Sequence, residues 1–191
     1  MTLLIIGLIV FLGIHSVSIV APTLRASAVG RWGAGAWKGV YSLISIAGFV
    51  LIVQGYALAR LEPHLLYVPP AGLRHVAAVL MLPVFALLLA TYLPGRLSAL
   101  AVHPMLVAIK LWALAHLLAN GMLADVILFG SLLAWAVADR ISLKRREPRA
   151  HPTLPRFAVN DVIAVVGGLA IYGLFVAGAH LWLFGVAPFG R

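Results

Sequence analysis

Between His103 and Arg140 the chain reads HPMLVAIKLWALAHLLANGMLADVILFGSLLAWAVADR, and this stretch limits the possible folds more than any other. It sets His103, Lys110, His116, Asn120 and Asp125 into sequence so apolar that only a lipid bilayer can take it. A charge at the centre of an inserted helix costs roughly 2.5–3.5 kcal/mol, so something must compensate these groups. They are expected to face the interior of a helix bundle, where polar intramembrane residues usually mark a site.

The rest of the chain agrees. Hydrophobic residues make up 63% and charged residues 10%, and mean hydropathy is +1.08, whereas about a quarter of a soluble domain is charged. The 191 residues have room for five or six spans of about 20 residues each and no separate soluble domain. The expected fold is therefore all-α: one polytopic bundle over 1–191, of about six transmembrane helices with a short helical hairpin at 105–138. The net charge of +9 comes from Lys and Arg between the apolar segments. It speaks for orientation and anionic lipid, and no nucleic-acid motif is present. With no Cys, disulfides, thiolate ligands and Cys nucleophiles are excluded.

In chain order, Leu3 to Val20 lacks a basic leader region and a small-x-small cleavage site before Pro22, so it reads as a span rather than a signal peptide. His15 shares a face there with Gly7 and Phe11. A basic loop with Arg25, Arg31 and Lys38 is expected next. The second span, about Trp37 to Leu58, opens with a polar stripe of Lys38, Tyr41, Ser42 and Ser45. An irregular loop is expected over Arg60 to Gly72. The third span, Leu73 to Leu93, follows Arg74 and His75 at its head and should kink at Pro83. Asn120-Gly121 divides the central stretch into two short helices, Met105 to Leu118 and Met122 to Val137. Arg140 to Arg156 should form a basic, Pro-broken cytoplasmic loop. Asn160-Asp161 reads as the N-cap of a last span, Val162 to Phe184. Six spans put ten of the fourteen Lys and Arg on one side, against Arg60, Arg74 and Arg191 on the other, which gives an inner-membrane protein with both termini periplasmic. A re-entrant central hairpin fits the same count.

Several His in a bundle without Cys suggest non-covalent haem b, since neutral imidazole is a good axial ligand. The plainer reading is that each His only hydrogen-bonds a neighbouring helix. Depth sets His75 and His180 nearest to His116, which shares a face with Trp112 and Asn120, while His15 lies towards the cytoplasmic half. Lys110, near mid-span, must snorkel, pair with a carboxylate or meet an anion, and His103 lies on its face. Asp125 is expected at a solvated helix end, and the Trp residues mostly at the interfaces.

The stretches LGIHSVSIVAP, GAWKGVYSLISIAGFVLIVQGY, HPMLVAIKLWALAHLLANG and LLAWAVADRISLKRR resemble the NnrU family of bacterial membrane proteins. That family is associated with denitrification, through nitrite and nitric oxide reductases. It is similar to the plant 15-cis-zeta-carotene isomerase, a haem b membrane enzyme. The resemblance implies haem b held by His15 and His116, between the first and fourth helices, with Lys110 and Lys38 as anion or propionate contacts. Trp112 and Asn120 then lie beside the cofactor, and His103, His75 and His180 are secondary candidates. Where the isomerase has a Cys three residues before its second His, this chain has Ala113, so a thiolate ligand switch is closed to it. The implied work is redox sensing or haem-dependent isomerisation of a lipid-soluble substrate. The alternative is a cofactor-free accessory or assembly protein that docks a membrane partner. His103-Pro104 also looks like part of a motif of isoprenylcysteine methyltransferases and sterol reductases, but Val102 replaces its Arg.

Overall fold

The computed structural model describes residues 1–145 and 157–189. Every element among them is a helix, apart from one isolated bridge between Leu65 and Met122. In order these are α1 (Thr2–Val20), α2 (Pro22–Ala59), α3 (Leu73–Met81), α4 (Val84–Ala90), α5 (Arg96–Ala101), α6 (Pro104–Ala119), α7 (Leu123–Arg145) and α8 (Ala158–Leu174). A π-helical turn, Phe175–Ala179, then leads into α9 (His180–Phe184). Five segments are long and apolar enough to cross a membrane: α1, α2, Leu73–Ala90, α7 and Ala158–Phe184. The 16 residues of α6 reach only about 24 Å at 1.5 Å per residue, short of the roughly 30 Å hydrocarbon layer.

The chain divides into two compact units, Met1–Tyr67 with Met122–Ser142, and Val68–Gly121 with Leu143–Arg191. In the first unit α1 and α2 pack along each other through glycines. A Cβ on Gly7 would stand 2.6 Å from the Ile52 nitrogen, one on Gly48 would stand 2.8 Å from the Phe11 nitrogen, and one on Gly55 would collide with the backbone of Leu3 and Leu4. In lipid, where apolar surface gains little by association, such close backbone approach supplies the packing energy.

In the second unit α3 and α4 lie against α6, and α4 against α8. The break before Pro83 is the expected one, and its hydrogen bonds show how the bundle tolerates it. Leu82 N–H donates to the Val79 carbonyl at 3.2 Å, which Pro83 cannot serve. That shift releases the Ala78 carbonyl, and the Tyr172 hydroxyl of α8 donates to it at 3.2 Å. Val84, Leu87 and Ala108 form the buried centre beside the break, with Trp112 packed on it.

Four expectations are corrected. The basic loop after α1 is helical: Pro22 starts α2 in its first turn, where a fixed φ favours helix. The break comes only at Gly33, with φ +81°, in the left-handed region that favours glycine. Secondly, α7 runs on to Arg145, well past Val137, because no breaker intervenes and Lys144 and Arg145 suit a helix C-terminus. The remainder of the expected basic loop, 146–156, lies outside the described residues. Thirdly, Asn160-Asp161 is not the cap of the last span, which starts after Phe157. Asp161 instead accepts the N–H groups of Arg96 and Leu97 at 2.9 Å each, serving the start of α5, while Asn160 Nδ2 donates to the Pro94 carbonyl at 2.8 Å. Fourthly, Trp37 is buried, with 9% of its surface exposed, although Trp182 is 83% exposed as an interfacial anchor would be.

The glycine contacts predict that Gly55→Val abolishes the monodisperse, folded protein in detergent size-exclusion chromatography. Gly39→Ala, where an added Cβ meets nothing within 4 Å, should elute as the parent does. A folded Gly55→Val protein would contradict the close packing of α1 on α2.

Candidate functional site

Histidine side chains in both units are held in one particular way. In α1 the His15 Nδ1 lies 2.7 Å from the Phe11 carbonyl oxygen. In α6 the His116 Nδ1 lies 2.7 Å from the Trp112 carbonyl oxygen, and in α9 the His180 Nδ1 lies 2.7 Å from the Val186 carbonyl oxygen. A carbonyl only accepts, so in each neutral ring Nδ1 carries the hydrogen and Nε2 the lone pair. The same anchoring fixes ring orientation, as it does for metal-ligating His. The four-residue spacing His15–Phe11 and His116–Trp112 is what lets a helix perform it locally.

Within the first unit, His15 is half-buried among aromatic rings. Phe11 is 4.2 Å away between centroids, Tyr41 of α2 is 5.2 Å away, and Trp135 of α7 is 5.8 Å away with an edge-on ring. The Trp135 indole Nε1 is buried and has no hydrogen-bond partner among the described residues. Ser45, from the polar stripe of α2, spends its hydroxyl on the Tyr41 carbonyl at 2.7 Å. Lys38, at the head of that stripe, is exposed.

Asp125 departs most from expectation. Far from being a solvated end, it is 3% exposed. Its Oδ1 accepts the Tyr56 hydroxyl at 2.5 Å and its Oδ2 accepts the Met122 N–H at 3.0 Å. The second bond caps the start of α7, and the first ties that helix to α2. Around the pair, the Phe129 ring centroid lies 6.4 Å from that of Tyr56, and the Arg60 guanidinium carbon lies 5.9 Å from the same centroid.

Within the second unit, His116 and His180 lie side by side, with ring centroids 6.5 Å apart and planes 27° from parallel. Trp112 flanks His116 at 5.0 Å and Phe184 flanks His180 at 5.0 Å. Both imidazoles line a cavity of about 430 Å³, with Arg74, Asn120 and Tyr172 as its other polar side chains. Of the remaining candidates, Lys110 is half-buried in α6 without a hydrogen-bond or ion-pair partner among the described residues, and it does not line the cavity. His103 stands at the N-cap of α6, and His75 is exposed, 6.5 Å from the Phe189 ring. Arg74 and Tyr172 were not legible as site residues. The one signal was a cation heading a span on the side where cations are few. Among the described residues no group of three or more His, Asp or Glu is placed to hold a metal ion.

A family model described as NnrU protein matches residues 3–188. No curated protein and no solved structure matches the chain.

The buried Asp125 pair yields a prediction. Tyr56→Phe leaves one Asp125 oxygen without its donor in apolar surroundings, and should cost roughly 1–3 kcal/mol, read as a lowered midpoint of thermal unfolding in detergent. An unchanged midpoint would mean that the carboxyl does not depend on the hydroxyl.

Proposed function

The chain belongs to the NnrU family, and from that premise we propose that it is a bacterial inner-membrane protein that binds haem b through imidazole. The observation that carries this reading is the anchoring of His116. Its Nδ1–H is engaged by the Trp112 carbonyl, which puts the lone pair of the neutral ring on Nε2, and Trp112, packed on the Val84, Leu87 and Ala108 cluster, fixes one side of that ring. His15, named by the resemblance, is prepared in the same manner within the first unit. The donor set suits haem b: it is neutral nitrogen, with no thiolate anywhere in the chain, and ring contacts suit an apolar interior.

When bound, the haem supplies a one-electron redox centre. The protein's own contribution is to orient imidazole and to set aromatic rings beside it, Phe11, Tyr41 and Trp135 around His15 and Trp112 beside His116. Redox sensing, or haem-dependent isomerisation of a lipid-soluble substrate, is the activity this chemistry serves, and the link to nitrite and nitric oxide reduction is part of the same reading. Inner-membrane placement with periplasmic termini is supported by the ten Lys and Arg assigned to one side. Lys38 and Lys110 remain propionate contacts in this reading, Lys110 on the strength of having no partner among the described residues.

The test is an absorption spectrum of purified protein, oxidised and dithionite-reduced, beside His116→Ala and His15→Ala. A Soret band with α and β bands on reduction is expected, lost in His116→Ala and restored in part by added imidazole. His15→Ala should change the spin state or lose the band. A colourless protein from haem-sufficient cells would overturn the haem reading and leave an accessory or assembly role, in which His15, Tyr41 and Trp135 serve only to hold helices together.

A further inference from the structure

The cavity of the second unit carries chemistry that haem ligation does not use. It follows α3 and α4 from Arg74, in the first turn, to Met81 and Phe85. That is roughly 16 Å along the helix axis, or about half of the hydrocarbon thickness. At its deep end it meets Phe175, whose ring centroid is 5.0 Å from that of Phe85. Both walls are irregular there. The helix breaks at Leu82-Pro83 on one side, and the π turn Phe175–Ala179 opens the other. At membrane depth irregular backbone persists only where protein or a cavity covers it, and π turns gather at functional sites. Two such faults converging on one cavity therefore point to an internal space kept for an occupant.

The lining also says what kind of occupant. Met81, Phe85 and Phe175 make one end apolar, while Arg74 stands at the mouth, and among the described residues it is the one cation and no Asp or Glu lines the cavity. Arg74 is fixed by Nε donating to the Ala71 carbonyl at 3.0 Å and Nη1 to the Phe189 carbonyl at 3.2 Å. Both partners are neutral, so the guanidinium is oriented yet keeps its charge and its remaining N–H groups for a ligand. A volume of about 430 Å³ is that of one small-ligand pocket. We propose that the cavity binds a single-chain amphiphile with an anionic oxygen headgroup, the headgroup on Arg74 and the chain running between Phe85 and Phe175. The proposal rests on Arg74, Phe85 and Phe175 and does not draw on haem at His116, which lines the same cavity.

The experiment uses the full-length protein in nanodiscs, with a long-chain fatty acid carrying a diazirine on its chain as the probe. Photolysis should label peptides around Met81–Phe85 and Phe175. Arg74→Gln should weaken binding about tenfold or more, the loss expected for charge-assisted hydrogen bonds. Ala119→Leu, which puts a larger apolar side chain on the cavity wall, should weaken binding while leaving thermal unfolding unchanged. The alcohol of equal chain length should bind wild type weakly and be indifferent to Arg74→Gln. Competition by unlabelled fatty acid identifies a carboxylate ligand, and competition by lysophosphatidylglycerol identifies a phosphate lipid; either supports the proposal. Labelling elsewhere, or equal affinity for acid and alcohol, would overturn it. So would displacement of haem by the fatty acid together with haem loss in Arg74→Gln, because the cavity would then be the haem's own.

Discussion

Inside a bilayer no polar group can fall back on water, and the hydrogen bonds of this chain are arranged around that fact. Side-chain donors turn to backbone carbonyls one helical turn earlier: His15 to Phe11, Ser45 to Tyr41, Thr91 to Leu87 and His116 to Trp112. For Ser and Thr this quietens a hydroxyl in an apolar place. For His the consequence is larger, because the bond uses one ring nitrogen and determines the state of the other. A structural need, silencing a donor, thus produces a chemical capacity, a fixed lone pair at Nε2.

The same constraint governs the irregular segments. Pro83 removes one donor, Leu82 moves to the vacated carbonyl, and Tyr172 covers the carbonyl that Leu82 leaves. The N-terminus of α5 is served by Ser98 within it and by Asp161 from α8, and the start of α7 by its own Asp125. The bonds of Tyr172 and Asp161 tie one helix to another, so faults in the helices become fastenings of their own unit. Where the two faults beside Phe85 and Phe175 meet, the result is space instead of contact.

Much of this was legible in the sequence because hydropathy and helix breakers act locally. The apolar runs gave the spans, Pro83 the break, Asn120-Gly121 the corner, and Pro63, Pro69 and Pro70 the irregular loop. What could not be read depends on partners distant in sequence. Asp125 looks like a helix-end carboxylate until Tyr56, 69 residues earlier, covers it. Asn160 and Asp161 have the composition of a cap, and Asp161 does cap, but for a helix 65 residues earlier, while Asn160 donates to the Pro94 carbonyl before it. The helical segment 22–32 was missed for another reason: basic residues were taken as loop, although Arg and Ala are good helix formers, and Gly30 stays within the helix, which breaks only at Gly33. Arg74 looked like an orientation signal, and only the carbonyls that hold it and the cavity beside it give it another role.

Whether the anchored imidazoles can ligate iron depends on which ring nitrogen carries the hydrogen. Solid-state nitrogen NMR of protein labelled with 15N-histidine and free of haem reads this directly. Assignment by His15→Ala and His116→Ala should show both rings neutral, with a protonated pyrrole-type signal at Nδ1 and a pyridine-type signal at Nε2. A proton on Nε2 of His116 would mean that the ring offers no lone pair to an iron, and would contradict the account at its centre.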